Sequence, residues 1–343
     1  MLTFTRRDIL ATGLAGGIGV AAGGPIFAQE DLDTGAPVAG KVERLDPALD
    51  ALIDADAVVE PLTGGLIWCE GPTWVGGKDG YLLYSDVIGN RIHRLKVGTG
   101  DMIWLQPSGY VGALFPNSIK EPGSNGLYAT RRGLLLADSG NRGLFRVDYK
   151  TKRRTLLHDR FEGKRFNSPN DMCISPRDGS IYFTDPAYGL KDTLESPLRE
   201  LDFTGIFRVK TDNSLSLVAK VDVPNGIGIS PDGTVLYCTD VSRGWLAHRL
   251  DSDGTVAETR IFIDPAATGI TAGDGLKIDA GGNMWTSMLG GIAIVSPAGR
   301  VLGKIVTNSI VSNCELAADG YLYMSCNHQM ARIRVKARKL VVA

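Results

Sequence analysis

VPNGIGISPDG, Val223–Gly233, sets a polar Asn225 ahead of a short apolar run and closes on Pro-Asp-Gly. Alone, Pro-Asn-Gly is turn punctuation. The arrangement nevertheless returns along the chain, in WCEGPTWVGGKDG (68–80), GSNGLYATRRG (123–133), SPNDMCISPRDG (168–179), GDGLKIDAGG (273–282) and SNCELAADG (312–320). In each, a Glu, Asn or Asp stands 7 to 10 residues before a glycine. That interval suits one short strand and a turn.

Each of those glycines opens a second pattern: a strand-like run, a polar turn, then another strand. GYLLYSDVIGNRIHRL begins at Gly80, GLLLADSGNRGLFRV at Gly133, and GSIYFTDPAYG at Gly179 with GIFRV at Gly205 as its partner. GTVLYCTDVSRGWLAHRL, GNMWTSMLGGIAIV and GYLYMSCNHQMARIRV follow from Gly233, Gly282 and Gly320. Strand formers dominate these runs. The repeat spacing, 38 to 54 residues, with several short strands per unit, predicts an all-β, six-bladed β-propeller. Helical repeats would show a 3.6-residue period, and a sandwich needs no such spacing. The longest break within a unit, residues 187–204, reads as a lid or a blade insertion.

The N-terminus reads differently. Arg6-Arg7, a weakly apolar Gly/Ala-rich run and Ile26-Phe27-Ala28 make a twin-arginine export signal with cleavage after Ala28. Its many glycines make a poor membrane span, and no other segment has the apolar length for one. The expected organisation is a signal peptide over 1–28, linker and short helix over 29–60, and the propeller over 61–343. The helix falls in RLDPALDALIDADA (44–57), with Asp46 as N-cap and Pro47 at its first position. A folded protein leaving by this route is expected in the periplasm or secreted, with the export machinery as a transient partner and no stable membrane insertion.

A formal net charge of −1 gives no electrostatic case for nucleic acid as a partner. The five cysteines fit no zinc spacing and read best as buried small hydrophobes.

In a propeller the innermost strands line a central channel, so equivalent positions at their entry ring one end of it. Glu70, Asn125, Asn170, Asn225, Asp274 and Asn313 thereby become neighbours. They read either as turn formers or as one site. As a site they offer only oxygen donors, two of them charged, which select a hard cation such as Ca²⁺, Mg²⁺ or Mn²⁺. Without a cation, Glu70 and Asp274 would face each other across a desolvated channel. Asp185 and Tyr188 in FTDPAYGL read as pocket-mouth residues or as a structural turn. The four histidines fall in blade strands or their turns.

These motifs resemble the SMP-30/gluconolactonase/LRE family, over essentially the whole chain from RLDPALDALI onward. WCEGPTW is similar to the family's Glu-Gly-Pro-x-Trp segment, and RFNSPNDMCISPRDGSIYFTDPAYGL is the most specific stretch. The resemblance implies a six-bladed propeller that binds one divalent cation, Ca²⁺ first, with Mg²⁺, Mn²⁺ or Zn²⁺ as alternatives, and hydrolyses a lactone or related ester. It places Glu70, Asn225 and Asp274 on metal-ligand positions, and Asn170 on a position that ligates metal or contacts substrate. Asn125 falls on a pocket position, and Asp274 is also the general-base position, with a metal-bound hydroxide as competitor for that role. Where bacterial relatives often have Cys-Glu-His-Gly-Asn-Arg this chain has LADSGNR, so Ser139 stands in place of a pocket His, a departure that bears on the sugar-lactone substrate. Other functions on the same scaffold are a metal-dependent ester hydrolase, a lyase or isomerase, or a non-catalytic ligand-binding propeller. A quinone-dependent dehydrogenase would need basic and His side chains that the ring lacks.

Overall fold

The computed structural model describes residues 35–112 and 118–342, together with Leu32. The expected signal segment, 1–28, lies outside the described residues. Six antiparallel sheets form the blades, with inner strands Cys69–Val75, Ser124–Thr130, Met172–Ile174, Pro224–Ile229, Leu276–Ile278 and Asn313–Leu316. We number these blades I to VI. Each blade runs outward by hairpins, as the alternation of short strands and Gly turns in the sequence requires.

The segment before blade I is more closely knit into the fold than its composition suggests. Gly40–Arg44, expected as linker up to residue 43, is a strand that pairs with Val301–Thr307 as a fifth strand of blade V. Val59–Pro61 supplies the outermost strand of blade VI, with Val59 opposite Ile333 and Pro61 opposite Ala331. The two ends of the chain thus close the ring, which leaves no gap between first and last blades. Between those strands, Pro47–Ala51 forms one short 3₁₀ turn, and Asp46 Oδ1 accepts from Ala48 N at 2.8 Å as its cap.

The core lies between adjacent blades. Second strands are the most buried, because both of their faces meet a neighbouring sheet; in Tyr81–Asp86 every residue after the first is buried. In blade III, Phe166, Phe183 and Phe207 pack with ring centroids 5.0 to 5.5 Å apart. All five cysteines are buried and unpaired.

A polar device repeats at the end of the second strand. Asp86, Asp138, Asp185 and Asp240 close the second strands of blades I to IV, and none has any exposed surface. Each carboxylate accepts from backbone N–H groups of a nearby loop: Asp86 from Ile67 and Trp68, Asp138 from Asn141, Asp185 from Asn167 and Ser168, Asp240 from Ser242. Buried loop donors need acceptors, and a short acidic side chain at a strand end supplies them.

Candidate site at the channel mouth

The six ring residues sit at the start of the inner strands. Glu70, Asn125 and Asn225 are the second residues of theirs, Asn313 the first, and Asn170 and Asp274 lie two residues before theirs. In blades I, II and IV the pairing register shifts at this point, between Glu70 and Thr73, Ser124 and Leu127, and Pro224 and Ile227. Such bulges re-aim side chains beside a site. The glycine that follows most ring residues has a packing cause. A Cβ on Gly126 would meet Asn170 O at 2.5 Å, and one on Gly226 would meet Asp274 O at 2.4 Å. Instead Gly126 N donates to Asn170 O at 2.6 Å and Gly226 N to Asp274 O at 3.0 Å, which stitches each blade to the next or next-facing inner strand.

Above this ring lies a cavity of about 170 Å³ that opens to solvent. Glu70, Asn125, Asn170, Asn225 and Asp274 line it, together with Tyr188. Glu70 is buried; its Oε2 accepts from Gly71 N at 2.9 Å and from Asn313 Nδ2 at 3.2 Å. Burial pushes its carboxyl up to about 7, with Asp171 and Glu121 adding repulsion. Asp274 is raised well above the carboxylate range by burial, then by Glu70, Asp171 and Glu121, with a hydrogen bond from Asn225 acting against them. Its backbone N donates to Ser287 Oγ at 2.7 Å, fixing the approach to blade V. Burial also raises the Tyr188 phenol, so it remains a donor beside Asn225 and Asp274.

The geometry displaces three expected pocket residues. Asp185 braces the Asn167–Ser168 backbone from inside blade III and does not line the cavity. Its sister aspartates at the same strand position carry the same structural duty. Ser139 lies behind the wall, where its hydroxyl donates to Pro169 O at 3.1 Å and sits beside the Glu121 carboxylate. Asn313 forms a layer beneath the cavity: its Nδ2 reaches Asp171 Oδ2 at 3.2 Å as well as Glu70, and its Oδ1 accepts from Lys277 Nζ at 3.1 Å.

Two groups were missed. Lys120 and Glu121 line the cavity, and burial raises the Glu121 carboxyl. Their backbone N–H groups donate to Gly189 O at 2.8 and 3.2 Å. The insertion of residues 187–204 thus holds this dipeptide over the site, and Ile119 bridges to Leu190. Glu121 Oε2 accepts from Asn125 Nδ2 at 3.4 Å. Asp171 and Lys277, below the ring, also went unread. The signal available was the acidic residue directly after Asn170, in a position where four of the other five units have glycine.

Among the described residues, no three His, Cys, Asp or Glu side chains cluster as a metal set. A cation here would rest on two carboxylates and neutral amide oxygens, the donor set of a hard ion. The fit is otherwise good: among the described residues neither Glu70 nor Asp274 is paired with a lysine or arginine, and Glu70 raises the affinity of Asp274 for protons.

Fold and site together define a six-bladed propeller with an acidic, oxygen-lined channel mouth. The SMP-30/gluconolactonase/LRE-like region model matches residues 68–328, and the chain belongs to that family. It is 37% identical over 314 residues to a gluconolactonase of Zymomonas mobilis subsp. mobilis, covering 87% of this chain and 86% of that one. Among solved structures it is similar to a gluconolactonase from Xanthomonas campestris, with TM-score 0.75, 27% identity, and coverage of 88% of this chain and 98% of the other. A calcium-binding regucalcin from Agrobacterium tumefaciens shares the fold, with TM-score 0.61 and 19% identity over 82% of this chain and 97% of that chain.

Proposed function

We propose that this protein is a gluconolactonase-like lactonase that works with one divalent cation, Ca²⁺ first, after export by the twin-arginine route. The observation that carries the reading is the pair at the cavity floor, Glu70 buried and Asp274 half-buried, with no basic partner among the described residues. Two such carboxylates are costly to hold unless a positive charge or a proton joins them. Family membership and the 37% identical gluconolactonase support the reaction class. The calcium-binding regucalcin of the same fold is consistent with the ion.

Glu70, Asp274, Asn225 and Asn170 would hold the cation. When bound there it supplies Lewis-acid polarisation of the lactone carbonyl and offsets the developing oxyanion charge. The chain's own groups do the rest. Water adds to the carbonyl carbon, and Asp274, if only loosely held to the cation, takes its proton. The ring C–O bond then breaks and the ring oxygen leaves as the hydroxyl of a hydroxy acid. The proton taken by Asp274 passes to that oxygen, and the Tyr188 phenol, which burial keeps protonated, would hydrogen-bond to it. Glu121 and Asn125, hydrogen-bonded to each other, orient the substrate from the blade II side.

Acid release from a panel of lactones, measured after chelation and again after adding back Ca²⁺, Mg²⁺, Mn²⁺ or Zn²⁺, tests the reading. Activity lost on chelation and restored best by Ca²⁺ is the expected result. Full activity in chelator would overturn the metal role, and no turnover of any lactone would overturn the reaction.

A further inference from the structure

The cavity wall is chemically lopsided, and the division follows the blades. In blades II and III the groups above the ring are polar: Lys120, Glu121 and the Tyr188 hydroxyl. In the other four blades the corresponding positions are apolar. Ile88 and Val241 each follow closely on the aspartate that ends a second strand, and Leu289 follows the end of the equivalent strand in blade V. Ile310 and Val311 precede the inner strand of blade VI, as Trp68 does in blade I. Trp68, Ile88, Val241, Leu289 and Ile310 are only half-buried, so they leave apolar surface open at the cavity.

We propose that the lactone this site is shaped for carries a hydrocarbon substituent, laid against blades IV, V, VI and I, with the polar face of the ring turned toward Lys120 and Glu121. The inference rests on the lactonase reading above and narrows its substrate class. A polyhydroxylated lactone turned to that arc would lose water from its hydroxyls and meet no side-chain donor or acceptor there beyond the Trp68 indole N–H, and an unpaired hydroxyl is penalised more than a made hydrogen bond gains. A hydrocarbon loses nothing polar and covers surface that otherwise stays wet. Each methylene so covered is worth about a fourfold gain in binding. The cavity, about 170 Å³, has room for one ring and a short chain.

The experiment compares lactones of one ring size with the mature protein in Ca²⁺: δ-valerolactone, δ-hexalactone, δ-octalactone, δ-decalactone and glucono-1,5-lactone, each corrected for spontaneous opening. The expected result is a kcat/KM that climbs about fourfold per added methylene over the first few carbons, mostly through KM. δ-Decalactone should exceed glucono-1,5-lactone at least tenfold. In Leu289→Asn and Ile310→Asn, made singly and together, the ratio of kcat/KM for δ-decalactone to that for δ-valerolactone should fall about tenfold or more. Both positions are half-buried at the cavity rim and tolerate polarity better than core sites. A preference for glucono-1,5-lactone, or no dependence on chain length, overturns the inference and leaves the lactonase reading standing. Failure to open any of the five overturns the lactonase reading, and the inference with it.

Discussion

The two ends of the central channel hold the same kind of charge under opposite terms. At the mouth, Glu70 and Asp274 face a cavity of about 170 Å³ with no basic side chain bonded to either among the described residues. Deeper in, Asp171 is paired with Lys277 Nζ at 3.4 Å, and Glu315 is paired with Lys339 and also accepts from Trp74 N at 3.0 Å. There the free space is only about 50 Å³, and residues Lys339, Leu340 and Val342 of the C-terminal segment help to line it. Lys277 loses proton affinity to burial, but Asp171, Cys314 and Glu315 together outweigh that and hold the ammonium above its usual range. The far end is a finished structural network. The mouth is left electrostatically unfinished, which is what a site for an external cation requires.

Breaking the unfinished end should have the largest effect on activity and a reversed effect on stability. Asp274→Asn and Glu70→Gln are expected to lower kcat/KM about a thousandfold or more, roughly 4 kcal/mol. Calorimetry on Glu70→Gln should show Ca²⁺ binding lost. In chelator the same Glu70→Gln protein should be more stable than wild type by about 2 kcal/mol, since an unpaired buried carboxylate has gone. A lower melting temperature in chelator would contradict the contrast between the two ends.

Breaking the finished end should do the reverse. Lys277→Met strands Asp171 and is expected to cost about 3–5 kcal/mol in urea unfolding. Adding Asp171→Asn should recover a large part of that loss, because the stranded charge disappears. If the double variant is no better than the single one, the ion pair is not what holds the far end.

The pH dependence sharpens the same comparison. Glu70 is raised in the fold to about 7. A carboxyl raised on folding contributes full stability below its unfolded pKa, and that contribution is lost as pH rises through the folded value. Chelated protein should therefore lose melting temperature between about pH 5 and 8. Asp185, raised to about 7, and Asp138, to about 6, act in the same direction. Saturating Ca²⁺ should shrink the Glu70 share of the loss, and Glu70→Gln should remove that share. A loss that Ca²⁺ does not change would place it wholly on the structural aspartates. The smallest effect is expected from Lys339→Met, where Glu315 keeps the Trp74 N–H: about 1 kcal/mol, with little change in kcat.

The blades and the ring were legible because repetition averages out local ambiguity. One Asn-Gly is a turn; six polar residues at one phase before six glycines are not independent. The same repetition could have exposed Asp185 as structural, since Asp86, Asp138 and Asp240 share its place at a strand end. Read alone in FTDPAYGL, it stood open between a pocket-mouth residue and a structural turn. Lys120 and Glu121 carry no phase signal of their own. They reach the cavity because residues 187–204, distant in sequence, fold back and accept hydrogen bonds from their backbone.

The sequence alone determined the repeat, the blade number and the residues at the start of each inner strand, because strand period and turn chemistry are local and recur. Only the tertiary structure decided which of those residues face open space. Asn125, Asn170, Asn225, Glu70 and Asp274 line the cavity, while Asn313 is drawn beneath it by Lys277 and Asp171. It also decided which carboxylates have partners. Burial and pairing are properties of neighbours brought from other blades, and no local pattern in the chain encodes them.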